Sequence, residues 1–203
     1  MKKPPLSARA LKKQATRQAL ISAAQQRFQR FGYAGTTIDE ICADAEVSRR
    51  SFFRYFADKQ SLVFPQRAER LQRFRDLLGP AAGDADPISK LRRIARLFAQ
   101  QYGDHRASLV AQQQLIESSP DLVAREREID RDWELAMAEA LRNYLGDCAD
   151  REQRACQFAG AAIGVIRATL RYWFEHTGSP DLEALGQAAL DGLEQGFLHS
   201  AAP

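Results

Sequence analysis

Two helix starts lie close together early in the chain, and together they leave little freedom for what can lie between them. Thr37-Ile38-Asp39-Glu40 puts a hydroxyl and a carboxylate three residues apart, the spacing of a capping box in which each group satisfies an orphan amide. Ser48 offers a second N-cap. A helix opening at Thr37 and closing near Ala45 leaves only Glu46-Val47-Ser48 for a turn before the next helix, which the pattern carries through Phe56. Two short helices joined that tightly form a helix-turn-helix. The segment before it has Ile21, Ala24, Phe28 and Phe31 at helical spacing, and Gly32 and Gly35 bracket the turn that follows. Ile38, Ile41, Cys42 and Ala45 continue the same periodicity, so a three-helix head is expected.

Beyond it the reading stays helical, and no segment alternates like a strand. Breaks fall from Gly79-Pro80 to Asp86-Pro87, near Gly103-Asp104, at Ser118-Ser119-Pro120, at Gly146-Asp147 and at Gly178-Ser179-Pro180. The expectation is an all-α fold of about nine helices in a chain of 203 residues, with a head over 1–57 and a larger helical bundle over 58–203. Pro65 lies inside the expected fourth helix, beginning near Asp58, and predicts a kink or break there. Residues 1 to about 12 and the tail Ser200-Ala201-Ala202-Pro203 are expected to be unstructured.

Charge separates the two parts. Residues 1–60 carry 12 Lys and Arg against 5 Asp and Glu, whereas the remainder carries 17 against 21. A basic module points to a polyanion, of which nucleic acid is the commonest. Hydrophobic content of 45% and charged content of 27% exclude a disordered chain or a disulfide scaffold. No apolar run approaches the roughly 18 residues of a membrane span. The basic start Met1-Lys2-Lys3 is followed by no apolar stretch of the kind a signal peptide needs, and Cys42, Cys148 and Cys156 cannot all pair within one chain. A cytoplasmic location with reduced thiols is expected.

The segment Ser48–Phe56 carries the chemistry. At 100° per residue Phe52 and Phe56 fall on one side, while Arg50, Phe53 and Arg54 project from the other, flanked by Arg49 and Tyr55. An ordinary solvated helix mixes Glu with Lys. This one has three arginines and no acid, which suits an anionic groove.

With Phe31-Gly32-Tyr33, Thr36-Thr37-Ile38, Ile41, Ala45, Val47-Ser48, Phe53, Tyr55-Phe56, Lys59 and Leu62, the segment resembles the DNA-binding head of tetracycline-repressor-like (TetR) transcriptional regulators. More loosely, the Arg-rich run and the helix holding Trp133-Glu134 resemble the mycofactocin-linked members. The resemblance implies that Thr36 or Thr37, with the amides at the start of helix 2, holds a phosphate. It implies that Ser48 and Tyr55 touch phosphate or groove edge and that Lys59 clamps the DNA backbone. This chain departs from the pattern at Phe53 and Arg54, where many members have tyrosines, and at Arg50, often a glycine. Phe53 could meet a thymine methyl and Arg50 a guanine edge. Which arginine reads a base stays open.

The resemblance further implies a body that binds a small effector and a homodimer built by the last two helices, on a palindromic double-stranded operator. Small residues at Ala159, Gly160, Ala162 and Gly164, and at Ala188, Ala189, Gly192 and Gly196, allow close packing, either between subunits or within one. Arg167 interrupts the apolar run from Ala159 to Phe174: facing inward it would want an anionic ligand, facing outward an acidic partner. Tyr102, Trp133 and Phe158, along with Phe98 and Tyr144, could line an effector pocket or simply fill a core. With Arg167 they are the expected effector contacts, for an apolar or acyl-like molecule.

No Gly-x-Ser-x-Gly, Walker-type loop or dinucleotide fingerprint occurs, and His105, His176 and His199 lack metal-ligand spacing. Asp130 and Glu134, one turn apart among many charges, suit a solvated face. No enzyme, cofactor or metal is expected. The reading is a ligand-responsive DNA-binding regulator, a repressor by the resemblance. The competing reading is a helical interaction or ligand-carrier protein that does not act through DNA.

Overall fold

The computed structural model describes residues 7–79, 86–176 and 180–197. The expectations placed on residues 1–6, on the breaks across 80–85 and at Gly178-Ser179, on His199 and on Ser200–Pro203 lie outside them, as do the side chains of Gly196 and Phe197. The described residues form nine α-helices, one short 3-10 helix and no strand. The chain divides into two compact units, one of residues 1–65 with 111–125 and one of residues 66–110 with 126–203.

In the first unit, α1 spans Ala8–Phe31 and begins earlier than expected, because Ser7 Oγ accepts from the Ala10 amide. It ends at Gly32, whose φ of 72° is the left-handed conformation that glycine adopts without strain. Gly35 is required for another reason: a Cβ there would stand 2.4 Å from the Phe31 carbonyl oxygen. The next helix, α2 (Ile38–Asp44), opens on the complete Thr37–Glu40 capping box. It closes in a Schellman motif, with Glu46 N–H donating to Ala43 O and Val47 N–H to Cys42 O. Glu46 occupies the position that usually holds glycine, at φ 53°.

The third helix, α3, is shorter than the pattern predicts. Its α-helical part is Arg49–Phe52, and the chain then tightens through bonds from Arg54 N–H to Ser51 O and from Tyr55 N–H to Phe52 O. A 3-10 helix follows at Gln60–Leu62. Pro65 lies in a non-helical turn, so the expected connecting helix from Asp58 does not form; α4 starts at Arg67 instead. Leu20, Ile21, Ala24 and Phe28 of α1 enclose Ile41, Phe52 and Phe56. Leu62 and Val63 belong to the same core, so this unit runs past residue 57. Ile116 and Leu122 complete it from later in the chain.

The second unit comprises α4 (Arg67–Leu78), α5 (Pro87–Gly103), α8 (Arg151–Glu175) and α9 (Leu182–Phe197), and parts of α6 (Arg106–Glu117) and α7 (Pro120–Leu145). The start of α5 combines an Asp86 N-cap with Pro87 in the first turn, where its missing N–H costs nothing. Buried Ala155, Ala159 and Ala162 keep α8 thin within the core, where Phe158, Met137, Leu91, Leu190 and Leu193 pack, and α8 also lies against α9.

Candidate nucleic-acid interface

The helix-turn-helix is held by ion pairs as well as by its core. Arg27 of α1 reaches Glu40 at 3.0 Å and Asp44 at 2.6 Å, so one guanidinium ties both ends of α2 to α1. Glu40 is held below the usual carboxylate range first by the Thr37 amide, and Asp44 first by its hydrogen bond to Arg27. Arg49 Nη1 meets both carboxylate oxygens of Asp39, at 2.6 and 2.7 Å, which couples the start of α3 to the start of α2.

The arginine-rich segment turns outward as expected. Phe52 and Phe56 are buried, while Arg50, Phe53 and Arg54 are exposed, Phe53 to 49%. Phe53 packs edge-on against Phe52 and lies beneath the Arg49 guanidinium, so the exposed ring is held in place. Arg54 donates to Ser51 Oγ and lies over the half-buried Tyr55 ring. Arg50 has no ion pair among the described residues. It and Arg54 are the two cations of this face with no carboxylate partner there. Ser48 is committed to capping, accepting from the Ser51 amide at 3.2 Å. Arg9, Lys12 and Lys13 add exposed positive charge on the first turns of α1.

Three of the expected phosphate contacts have other tasks. Thr36 is 1% exposed and donates to Gly32 O, which makes it an interior residue. Thr37 is exposed, but its hydroxyl is engaged with Glu40, and the first turn of α2 already holds the carboxylates of Asp39 and Glu40. Lys59 points inward: Nζ donates to Tyr33 O and Thr36 O, each at 2.8 Å, and lies 4.1 Å from the Tyr33 ring centroid. Burial pulls its pKa down. The ammonium is a bracket across the loop between α1 and α2. Its sequence signal, a lysine three residues after Tyr55-Phe56, is the same for both roles.

Of the expected effector contacts in the second unit, Phe158 is a buried core residue. Arg167 faces outward, exposed and paired with Asp130 at 3.1 Å, the alternative weighed against a ligand role. Burial raises the Asp130 pKa against the opposing pull of Arg167. Tyr102 and Trp133 do come together. Phe98 lies 6.0 Å from each of them, Phe74 lies 4.6 Å from Trp133, and all four rings belong to α4, α5 and α7. Arg70 of α4 joins the group, donating from Nη1 to Tyr102 Oη at 3.3 Å with its guanidinium 5.4 Å from that ring. Sequence reasoning missed Arg70, one of many arginines on an amphipathic helix. No group of His, Cys, Asp and Glu able to hold a metal occurs among the described residues, and no described helix is long and apolar enough to cross a membrane.

Comparison with known proteins accords with these parts. Residues 20–64 match the family model described as bacterial regulatory proteins, tetR family, and residues 85–198, more than half of the chain, match the MftR C-terminal domain. The chain is 27% identical over 199 residues to the HTH-type transcriptional regulator TcmR of Streptomyces glaucescens, an alignment covering 94% of this chain and 87% of the relative. Among solved structures it shares its fold with Thermus thermophilus FadR, a TetR-family repressor in complex with lauroyl-CoA, at TM-score 0.58 and 24% identity over 92% of this chain and 97% of that one. SmeT in complex with triclosan gives a TM-score of 0.62 at 22% identity, over 90% and 91%.

Proposed function

The chain belongs to the tetR family of bacterial regulatory proteins, DNA-binding regulators of transcription, and from that membership we propose that it is a repressor. In this reading a homodimer binds a palindromic operator in the cytoplasm and a small molecule releases it. The observation that carries the DNA reading is the outward face of Arg50, Phe53 and Arg54. Two cations without carboxylate partners flank a fixed aromatic ring, on a segment whose other side is anchored by Phe52 and Phe56. Such a face has no carboxylate pair to break on meeting phosphate and offers guanidinium forks to base edges. Arg49, tied to Asp39, positions the segment, while Arg50 and Arg54 do the reading.

A two-fold dimer accounts for small residues that serve no purpose inside one chain. Gly160 and Gly186 face neighbours within the fold, Glu134 and Ala95, whereas a Cβ on Gly164 or Gly192 would meet open space. Ala188 is exposed. A symmetric protein selects a symmetric site, since each recognition segment reads one half. A small-molecule trigger is supported by family membership and by the half-buried aromatic group in the second unit.

The test is fluorescence anisotropy with a duplex that the protein itself selects from a random pool, over a range of salt. Affinity should fall steeply with salt through counterion release. Arg50→Ala and Arg54→Ala should each relax preference at one base position, by about 1–3 kcal/mol for a bidentate guanine contact. Binding that is insensitive to salt and to both substitutions would favour the carrier reading.

A further inference from the structure

The half-buried arginines of the second unit are Arg67, Arg70, Arg92, Arg106, Arg142 and Arg151. Five of them have their charge answered. Arg67 pairs with Asp132, Arg92 with Asp191 and Glu194, Arg142 with Glu152, and Arg151 with Asp147. Arg106 donates to the carbonyls of Trp173 and His176 at the end of α8, where the helix dipole presents negative charge. Arg70 differs: its Nε, like that of Arg106, is buried with no acceptor, but among the described residues its one hydrogen-bond partner is a neutral phenol, with no carboxylate or helix-end carbonyl to answer its charge. Asp132 of α7 is held by Arg67.

A guanidinium kept among aromatic rings without a counter-ion is costly, unless an anion arrives to meet it. The surroundings define that anion. Phe98, Tyr102 and Trp133 are half-buried, unlike Phe74 at 1%, so the rings and Arg70 keep contact with solvent-accessible space. The Tyr102 oxygen accepts from Arg70, which leaves the phenolic proton free to donate. The half-buried Arg70 guanidinium, which has no carboxylate partner, and the Tyr102 O–H are thus both able to donate beside an apolar wall.

We propose that Arg70, with the Tyr102 hydroxyl as second donor, holds the acidic group of an apolar organic anion whose body lies against Phe98 and Trp133. This rests on the ligand-responsive reading above and moves the anion contact from Arg167 to Arg70. A carboxylate accepts both donors at once, and charge-assisted hydrogen bonds of this kind discriminate strongly against a neutral analogue.

The experiment is calorimetry on the full chain with two acid and alcohol pairs, 2-naphthoate with 2-naphthalenemethanol and laurate with dodecanol. In at least one pair the parent should bind the acid about tenfold or more tightly than the alcohol. Arg70→Met should erase that preference and leave alcohol binding unchanged, Tyr102→Phe should remove part of it, and Arg167→Met should leave it whole. Without ligand, Arg70→Met should melt at or above the parent temperature, because it sheds an unpaired cation. A preference that survives Arg70→Met overturns the proposal. So does a parent that binds neither acid better than its alcohol, or a lower melting temperature for Arg70→Met, which would mark a structural cation. If neutral compounds still release DNA from Arg70→Met after such a result, ligand response stands and only the Arg70 assignment falls.

Discussion

Lys59→Met separates a structural bracket from a phosphate clamp. The substitution keeps the apolar stem and removes the ammonium that donates to Tyr33 O and Thr36 O at 2.8 Å. Hydrogen bonds from a charged donor contribute about 1.5–3 kcal/mol each, and the contact with the Tyr33 ring about 0.5–1 kcal/mol. Two effects offset this. The ammonium gives up hydration, as its lowered pKa records, and Tyr33 O retains the Thr36 amide at 3.4 Å. The net loss is about 2 kcal/mol. In a chain of 203 residues that corresponds to a melting temperature lower by roughly 4–8 °C. Thermal denaturation gives the stability, and anisotropy well below the melting range gives the slope of log affinity against log salt. With two of its three donors spent inside the protein, Lys59 should contribute nothing to counterion release, so the slope should match the parent's. An unchanged melting temperature with a slope shallower by about one would refute the bracket and restore the clamp.

Glu46→Gly should stabilise the protein by about 0.5–1 kcal/mol in denaturant titration: relief of left-handed strain of about 1–2 kcal/mol outweighs the entropy that glycine adds to the unfolded chain. The Glu40 and Asp44 carboxyls have folded pKa values below their unfolded ones, so their stabilisation is complete above the ordinary carboxylate range of about 4 and is lost as pH falls through the folded values. Arg27→Met should therefore lower the melting temperature at neutral pH and shrink the further drop seen as pH falls below the ordinary carboxylate range, chiefly through Asp44. Gly164→Leu and Ala188→Arg point into open space within one chain, so both should fold normally yet sediment as monomers; unchanged dimers would place the interface elsewhere.

What could be read in advance depended on how local the cause was. The Thr37–Glu40 box, the Ser48 cap, the breaks at Gly103-Asp104 and Ser118-Ser119-Pro120, and the outward Arg50, Phe53 and Arg54 follow from neighbours within a turn, and the fold bears them out. Glu46 was hidden because glycine is the usual mark of a left-handed cap and a glutamate gives no sign. The break at Pro65 follows from proline itself and is borne out, whereas the early end of α3 goes with the packing of Phe56, Leu62 and Val63, which propensity does not see. The surroundings of Lys59 and Arg70 are not legible in the sequence for one reason. Whether a cation meets solvent, a carbonyl or a carboxylate depends on residues distant in sequence, such as Thr36 for Lys59 and Tyr102 for Arg70. Arg167 was decided the same way, by Asp130 on another helix.

The stretch 111–125, which includes the turn between α6 and α7, is part of the first unit, and this makes the unit discontinuous along the gene. Ile116 and Leu122 are fully enclosed in its core, and Gln112 donates to the Val63 carbonyl. A fragment ending at Pro65 would therefore carry an open hydrophobic wall where two aliphatic side chains belong. During synthesis that wall stays exposed until the ribosome has released residues well beyond 125, so the DNA-binding part cannot finish folding first merely because it is made first. Recombination meets the same constraint: a new C-terminal part spliced on near residue 65 works only if it brings a helical hairpin whose apolar residues fit beside Leu20, Phe28 and Phe52.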